Sequence, residues 1–265
     1  MYDFGFFTDD CRLIRQLSPV VHNITNYVAM NLSANALLAI GASPVMSSEL
    51  DEMEEIASKS DSLVINIGCL EHPQIEAMER AAMTVHELGR PWVLDPVGAG
   101  LSRLRHDTAM RLIETFTPSV IRANASEIMA LSGVSVPHHG VDSVVDSLAA
   151  SDCADAFAAR YGVVVSVGGE VDYVTDGNRS LKIANGSKMM SLVTAMGCTA
   201  SAVTAAFLAV RKDAFIAAAH AMALMGVGGE LAARQSGGPG SFAIRFIDTL
   251  ATLHTQEACS MIRYE

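Results

Sequence analysis

Met189–Phe207 reads MMSLVTAMGCTASAVTAAF. A β-branched lead-in, Leu192-Val193-Thr194, enters a small-residue turn, Ala195-Met196-Gly197. Cys198 follows, and then a run of Ala, Ser, Thr and Val spaced for a buried helix. A helix that starts there leaves its first backbone N–H groups unpaired, and with the helix dipole they form an anion site. The same environment is expected to lower the pKa of a thiol. Two readings stay open on this stretch alone. One is phosphate chemistry centred on Cys198; the other is a tight strand–helix turn with a small buried cysteine in it.

Outward from that turn, the chain alternates short apolar runs with segments of helical period. Strands are expected at Ser18–His22, Ala42–Met46, Ser62–Ile67, Pro91–Leu94, Ser119–Ile121 and Gly162–Val167. Val171–Thr175 and Ser180–Ala184 flank Asp176-Gly177-Asn178, a hairpin turn signal. Helices are expected at Thr25–Ile40 (stopped by Gly41), Glu49–Lys59, Pro73–Leu88, Arg103–Phe116, Ala125–Leu131 and Val141–Arg160. Three more close the chain at Cys198–Val210, Asp213–Ala233 and Phe242–Thr255. SLVINI and PWVL are continuous apolar runs, as expected of strands covered on both faces. Right-handed crossovers then give one mostly parallel sheet with helices on both sides. No linker or internal repeat divides the 265 residues, so one domain, 1–265, is expected.

Composition narrows the function. Half the residues are apolar, which favours a large core over disorder. No apolar run reaches a membrane span, and the acidic N-terminus lacks a signal-peptide pattern. Five scattered cysteines without a Cys-x-x-Cys pair point to reduced thiols and a cytoplasmic location. A net charge of −11 argues against nucleic acid as a partner. An anionic nucleotide would need local N–H groups, a few Arg or Lys, and Mg²⁺.

Polar residues collect where an open parallel sheet places its sites, at the carboxyl ends of strands. These are His22–Asn26, Gly68, Asp95–Gly100, Arg122–Glu127 and Gly168–Glu170. Each has a bland alternative: Asp95-Pro96 as turn chemistry, Asn124–Glu127 as an N-cap with its capping-box partner, Gly168-Gly169 as a loop. His22 is either a ligand contact or a strand-end residue. His138-His139 reads as a solvated loop, Trp92 as core, and the 14 methionines as mostly core filler.

VHNITNYVAMN (Val21–Asn31), ANALLAIGASPVM (Ala34–Met46), LDPVGAG (Leu94–Gly100), NASEI (Asn124–Ile128), GEVDYVTDG (Gly169–Gly177) and GPGSF (Gly238–Phe242) resemble hydroxyethylthiazole kinase, of the ribokinase-like superfamily. The resemblance runs from about Ser18 to about Leu250. It implies a three-layer αβα sandwich and a homotrimer with active sites between subunits. The implied reaction is Mg²⁺- and ATP-dependent phosphorylation of the primary hydroxyl of 4-methyl-5-(2-hydroxyethyl)thiazole, with no nucleic acid or membrane partner. It also implies roles: Cys198 catalytic; Asn26, Met46, Gly68 and Ala195 at the thiazole; Arg122, Asn124 and Gly168 at ATP; Asp95 and Glu127 at the metal. Three departures stand out. Ala195-Met196-Gly197 replaces a Gly-Thr-Gly or Gly-Ala-Gly, which costs freedom if residue 195 needs positive φ and sets Met196 beside the phosphate path. Gly168-Gly169-Glu170 replaces Thr-Gly-Glu, removing a hydroxyl expected at ATP, and Arg122-Ala123-Asn124-Ala125 replaces Arg-Gly-Asn-Ala. A kinase for another small alcohol and a catalytically silent binding module are the competing readings.

Overall fold

The computed structural model describes residues 4–134 and 147–265. In chain order the elements begin with α1 (Phe7–Leu17), β1 (Val20–Ile24), α2 (Met30–Ile40), β2 (Ser43–Met46), α3 (Met53–Lys59) and β3 (Ser62–Asn66). They continue with α4 (His72–Glu87), β4 (Trp92–Asp95), α5 (Arg103–Phe116), β5 (Val120–Asn124), α6 (Ala125–Leu131), α7 (Ser151–Tyr161) and β6 (Val164–Gly168). The hairpin β7 (Asp172–Thr175) and β8 (Ser180–Ile183) precedes α8 (Met196–Val210), α9 (Ala214–Arg234), α10 (Pro239–Thr252) and α11 (Thr255–Met261).

The strands form one sheet in the order β2-β1-β3-β4-β5-β6-β7-β8. The pairings from β2 through β6 are parallel, and β7 and β8 add antiparallel at the edge. The period-2 alternation of strands sends side chains to two cores. Val64, Val93 and Val120 face the layer containing α1, α2, α8, α9 and α10. Leu63, Ile65, Trp92, Leu94 and Ile121 face the layer of α3 to α7. The expected αβα sandwich is therefore present. From β1 the chain goes to β2 on one side while β3 lies on the other, so the β1/β3 boundary is a topological switch point, where such sheets open a crevice.

Several expectations shift at their edges. Helix α2 starts at Met30, because Asn26 caps a turn by accepting the Ala29 N–H at 3.0 Å and holds residues 26–29 outside the helix. The stop at Gly41 is as expected, with φ +96°, and a Cβ there would lie 2.9 Å from the Arg15 Cα. The lead-in to Cys198 is not a strand. Met190–Leu192 is a short 3₁₀ turn and Leu192 is exposed, because β8 is the last strand and its outer edge is taken by Arg263–Glu265. The last expected helix, Phe242–Thr255, is α10, which starts earlier, at Pro239, and ends at Thr252; α11, beyond it, is not among the expected elements. The expected Val141–Arg160 helix is seen only from residue 147, as a 3₁₀ turn leading into α7; its beginning and His138-His139 lie outside the described residues.

Helix α1 has no counterpart in the periodicity reading. It is pinned by Asp10, whose carboxylate accepts from Arg211 and from His220 Nδ1 at 2.8 Å. Helix α9 is long and apolar enough to cross a membrane, but 83% of its apolar window is buried inside the fold, which makes it a core helix. Trp92 is buried, with Nε1 donating to the Phe116 carbonyl. All five cysteines are free thiols.

Candidate active site

The Cys198 turn is built by an alanine in a glycine conformation. Ala195 caps α8 at φ +67°, ψ +7°, with no side-chain cap. Left-handed backbone costs a Cβ-bearing residue about 1 kcal/mol or more. Thr199 N–H is the first to find a helical acceptor, the Ala195 carbonyl at 2.8 Å, so the N–H groups of Met196, Gly197 and Cys198 precede the ladder. Met196 does not stand beside a phosphate path; its side chain is buried in the core, because the turn directs it inward.

Strand register brings the remaining groups to the same edge. Asn66 at the end of β3 pairs with Asp95 at the end of β4. Asp95 is 2% exposed, and its Oδ2 accepts from Asn66 Nδ2 at 2.6 Å and from the Ser201 hydroxyl at 2.8 Å. Ser201 stands three residues beyond Cys198 on α8, one turn away on the same face. Across the switch point, Asn26 Nδ2 donates to Asn66 Oδ1 at 2.9 Å and to Cys198 Sγ at 3.4 Å. The Gly68 N–H donates to the same Asn66 Oδ1 at 2.9 Å, and a Cβ on Gly68 would lie 2.7 Å from Asn26 Nδ2. Cys198, Asn26, Asn66, Gly68, Asp95 and Ser201 thus form one connected network from three strand ends and one helix N-terminus.

Arg122 belongs to β5 itself, one residue beyond the expected strand end. Its guanidinium lies between the backbones of Gly168 and Gly197. A Cβ on Gly197 would come within 2.6 Å of Nη1, and one on Gly168 would collide with Nη2. The buried Nε has no hydrogen-bond partner. A cation aimed at the positive end of α8 is a site prepared for an anion. Asp172 beside it accepts the Gly169 N–H at 3.0 Å, and burial raises its carboxyl to about 6.

Glu127 and Asn124 form a capping box on α6. The Asn124 side-chain oxygen accepts the Glu127 N–H at 2.9 Å, and Glu127 Oε2 accepts the Asn124 N–H at 2.8 Å. Glu127 Oε1 also accepts the Gly98 N–H at 2.9 Å, joining the Asp95–Gly100 loop to this helix. The cap reading and the site reading are therefore compatible. Burial first, and then the charge of Asp95, raise Glu127 to about 7. Burial raises Asp95 as well, and the Arg122 charge recovers only part of that shift. Two buried carboxylates, one raised by the other's charge, are hard oxygen donors suited to Mg²⁺. No cluster of three His, Cys, Asp or Glu that could hold a metal occurs among the described residues. The fit is thus to an ion held by few carboxylates together with substrate phosphates, not to an all-protein cage.

Residues 11–256 match the hydroxyethylthiazole kinase family. A hydroxyethylthiazole kinase from Brachyspira hyodysenteriae is 48% identical over 250 residues, 94% of each chain. The chain belongs to the hydroxyethylthiazole kinase family. The solved hydroxyethylthiazole kinase of Pyrococcus horikoshii OT3 superposes with a TM-score of 0.90 at 34% identity, covering 98% of each chain. A ribokinase-like superfamily protein from Enterococcus faecalis V583 shares the fold alone, with a TM-score of 0.65 at 16% identity over 97% of this chain and 91% of that one.

Against this family the expected residues divide. Cys198, Asn26, Gly68 and Asp95 are joined in one network through Asn66, and Arg122 meets Gly168 and the start of α8. Met46 ends β2 beside Asn23, on the same sheet edge but one strand further out. His22 is fully buried and faces the Ser47 carbonyl at 3.1 Å, and burial lowers its pKa, so it is a strand residue. The Cys198 thiol is raised to about 12, not lowered: burial and the Asp95 carboxylate outweigh the hydrogen bonds that favour a thiolate.

Three residues escaped the sequence reading. Asn66 had a signal, as the one amide in the apolar run SLVINI. Ser201 had a weaker one, its spacing from Cys198. Arg105 had none: its guanidinium reaches back from α5 to the carbonyls of Ile67 (2.8 Å), Gly68 (2.8 Å) and Val97 (2.6 Å), tying the β3 turn to the Asp95–Gly98 loop.

Proposed function

We infer that the chain uses ATP to phosphorylate the primary hydroxyl of 4-methyl-5-(2-hydroxyethyl)thiazole, with the Asp95–Cys198 edge of the sheet as its active site. The single observation that carries the site assignment is the network joining Cys198, Asn26, Asn66 and Asp95 beside Arg122. Asn26, Gly68 and Ala195 border the alcohol, with Met46 further along the same edge. Arg122 and the backbone at Gly168 face the ATP phosphates; Asn124 supports that region as the cap that orients Glu127.

Phosphoryl transfer is chiefly a matter of positioning and charge neutralisation. Asp95 and Glu127 would hold Mg²⁺ with its waters, and that ion would neutralise phosphate charge. Cys198 orients the alcohol and accepts its proton late, passing its own S–H hydrogen to the Asp95 carboxylate with which it hydrogen-bonds. A thiol raised to about 12 is not a standing base at neutral pH, so early deprotonation is not its task. The N–H groups of residues 196–198 and the Arg122 guanidinium stabilise charge on the moving phosphoryl group.

A homotrimer with its sites between subunits completes the reading. Its support is the apolar surface beside Asn26, where Tyr27 and Val28 are 67% and 61% exposed and Leu38 on α2 is 60% exposed. Five free thiols support a cytoplasmic location. Mass spectrometry of the thiazole alcohol incubated with Mg-ATP and the protein should show the phosphorylated product. No product at saturating substrate would overturn the assignment. Sedimentation showing only monomer would overturn the trimer.

A further inference from the structure

We propose that Asn66 is a positioning residue for phosphoryl transfer, which fixes the direction of the hydrogen bonds running from Asp95 to Cys198. The proposal rests on the reading of Cys198 as the catalytic residue.

Asn66 is 1% exposed, and its side-chain oxygen and nitrogen are both engaged. Its orientation is forced from outside. The Gly68 N–H can only donate, so Oδ1 must face it, at 2.9 Å. The Asp95 carboxylate accepts, so Nδ2 must face it, at 2.6 Å. A flipped amide would set its NH₂ against the Gly68 N–H and the Asn26 amide, and its carbonyl against the carboxylate. Three hydrogen bonds would become three repulsions in a water-poor site, where each unmet polar group is costly.

The same logic passes to Asn26. Its Oδ1 accepts the Ala29 N–H at 3.0 Å, so its Nδ2 is left to donate, to Asn66 Oδ1 and to Cys198 Sγ. Asn66 therefore presents an acceptor that holds the Asn26 amide beside the sulfur, and its own side chain hydrogen-bonds Cys198 as well. A donor already occupies one side of the sulfur, so the thiol hydrogen is directed away from Asn26 and to Asp95, with which Cys198 hydrogen-bonds; the sulfur takes the alcohol's proton as that hydrogen passes to the carboxylate. Ser201 offers a contrast: it also donates to Asp95 Oδ2, yet has no described bond to Asn26.

If Asn66 acts through this chain, its effect must depend on the sulfur. A double-mutant cycle tests this, with kcat and KM measured for the thiazole alcohol and for Mg-ATP. Asn66→Ala should lower kcat about tenfold with the Mg-ATP KM within about twofold, yet change kcat less than about twofold in a Cys198→Ala background. Ser201→Ala should keep its own effect in both backgrounds. Asn66→Asp keeps the side-chain volume but cannot donate to Asp95 when ionised, so it should reproduce the loss; it also replaces Asn66→Ala in the cycle if that variant does not fold. Equal loss in both backgrounds, or wild-type kcat in Asn66→Asp, would overturn the inference while leaving Cys198 catalytic. A wild-type rate in Cys198→Ala alone would overturn the underlying reading and the inference with it.

Discussion

Asp10 and Asp95 are both almost wholly buried, at 0% and 2% exposure, and their surroundings drive them in opposite directions. Burial pushes each towards the neutral acid. At Asp10, hydrogen bonds from His220 and Arg211 outweigh burial and hold the carboxyl below its usual range. Asp95 has neutral donors, Ser201, Asn66 and Cys198, with Arg122 acting only through its charge, and burial wins. Asp10 is a completed contact that fastens α1 to α9 and the residue after α8. Asp95 is an anion still short of positive charge, as expected of a group that meets a cation and phosphates during turnover. A buried carboxylate becomes informative about function once its partners are weighed.

The largest expected effects separate these two acids. Asp95→Asn should lower kcat by on the order of 10³ with little loss of thermal stability, since it removes a charge that folding must desolvate. Asp10→Asn should do the reverse: kcat within about twofold of wild type and a stability loss of about 3 kcal/mol, because Arg211 loses its counter-charge. Paired ADP-release assays and urea melts would check both. A stable but inactive Asp10→Asn, or an active Asp95→Asn, would erase the contrast.

Glu127→Gln comes next. Turnover should fall about 10- to 100-fold, and the Mg²⁺ concentration for half-maximal rate should rise. An unchanged metal titration would reduce Asn124–Glu127 to a helix cap.

Acid sharpens the comparison further. A depressed carboxyl pKa contributes stability that is present above the unfolded value of 3.8 and is lost as pH falls through the lower folded value. Asp10→Asn should therefore flatten the acid limb of the urea midpoint below about pH 4. An acid limb identical to wild type would show that this cluster does not anchor α1.

The smallest effect is at Ala195. Ala195→Gly relieves a left-handed alanine but adds unfolded-state freedom, for a net gain of about 0.5 kcal/mol with activity retained. A lower melting temperature would mean that the Ala195 methyl makes contacts outweighing its backbone strain.

Periodicity and apolar runs were enough for the αβα layers, because buried parallel strands such as SLVINI and PWVL carry their burial in their composition. The hairpin at Asp176–Asn178 was equally plain. What sequence could not supply was anything set by long-range pairing. Residues 192–194 have the composition of a strand but no strand to pair with among the described residues. Helix α1 is held by partners about 200 positions away. At the site, Cys198, Asp95, Arg122 and Glu127 were legible as strand-end and helix-start groups in a family pattern. Arg105 was not, since its role lies in three backbone carbonyls. The thiol's pKa was misjudged for a related reason: helix position is local and visible, whereas burial beside Asp95 comes from the fold.

The most direct test of the central claim is steady-state kinetics of Cys198→Ala with 4-methyl-5-(2-hydroxyethyl)thiazole and Mg-ATP. A residue that positions the alcohol and takes its proton late should, when removed, lower kcat by on the order of 10² while leaving the thiazole KM within a few fold. Cys198→Asp, which restores a proton acceptor at the same place, should regain activity. A wild-type kcat in Cys198→Ala would contradict the account and leave Cys198 a packing residue at a tight turn.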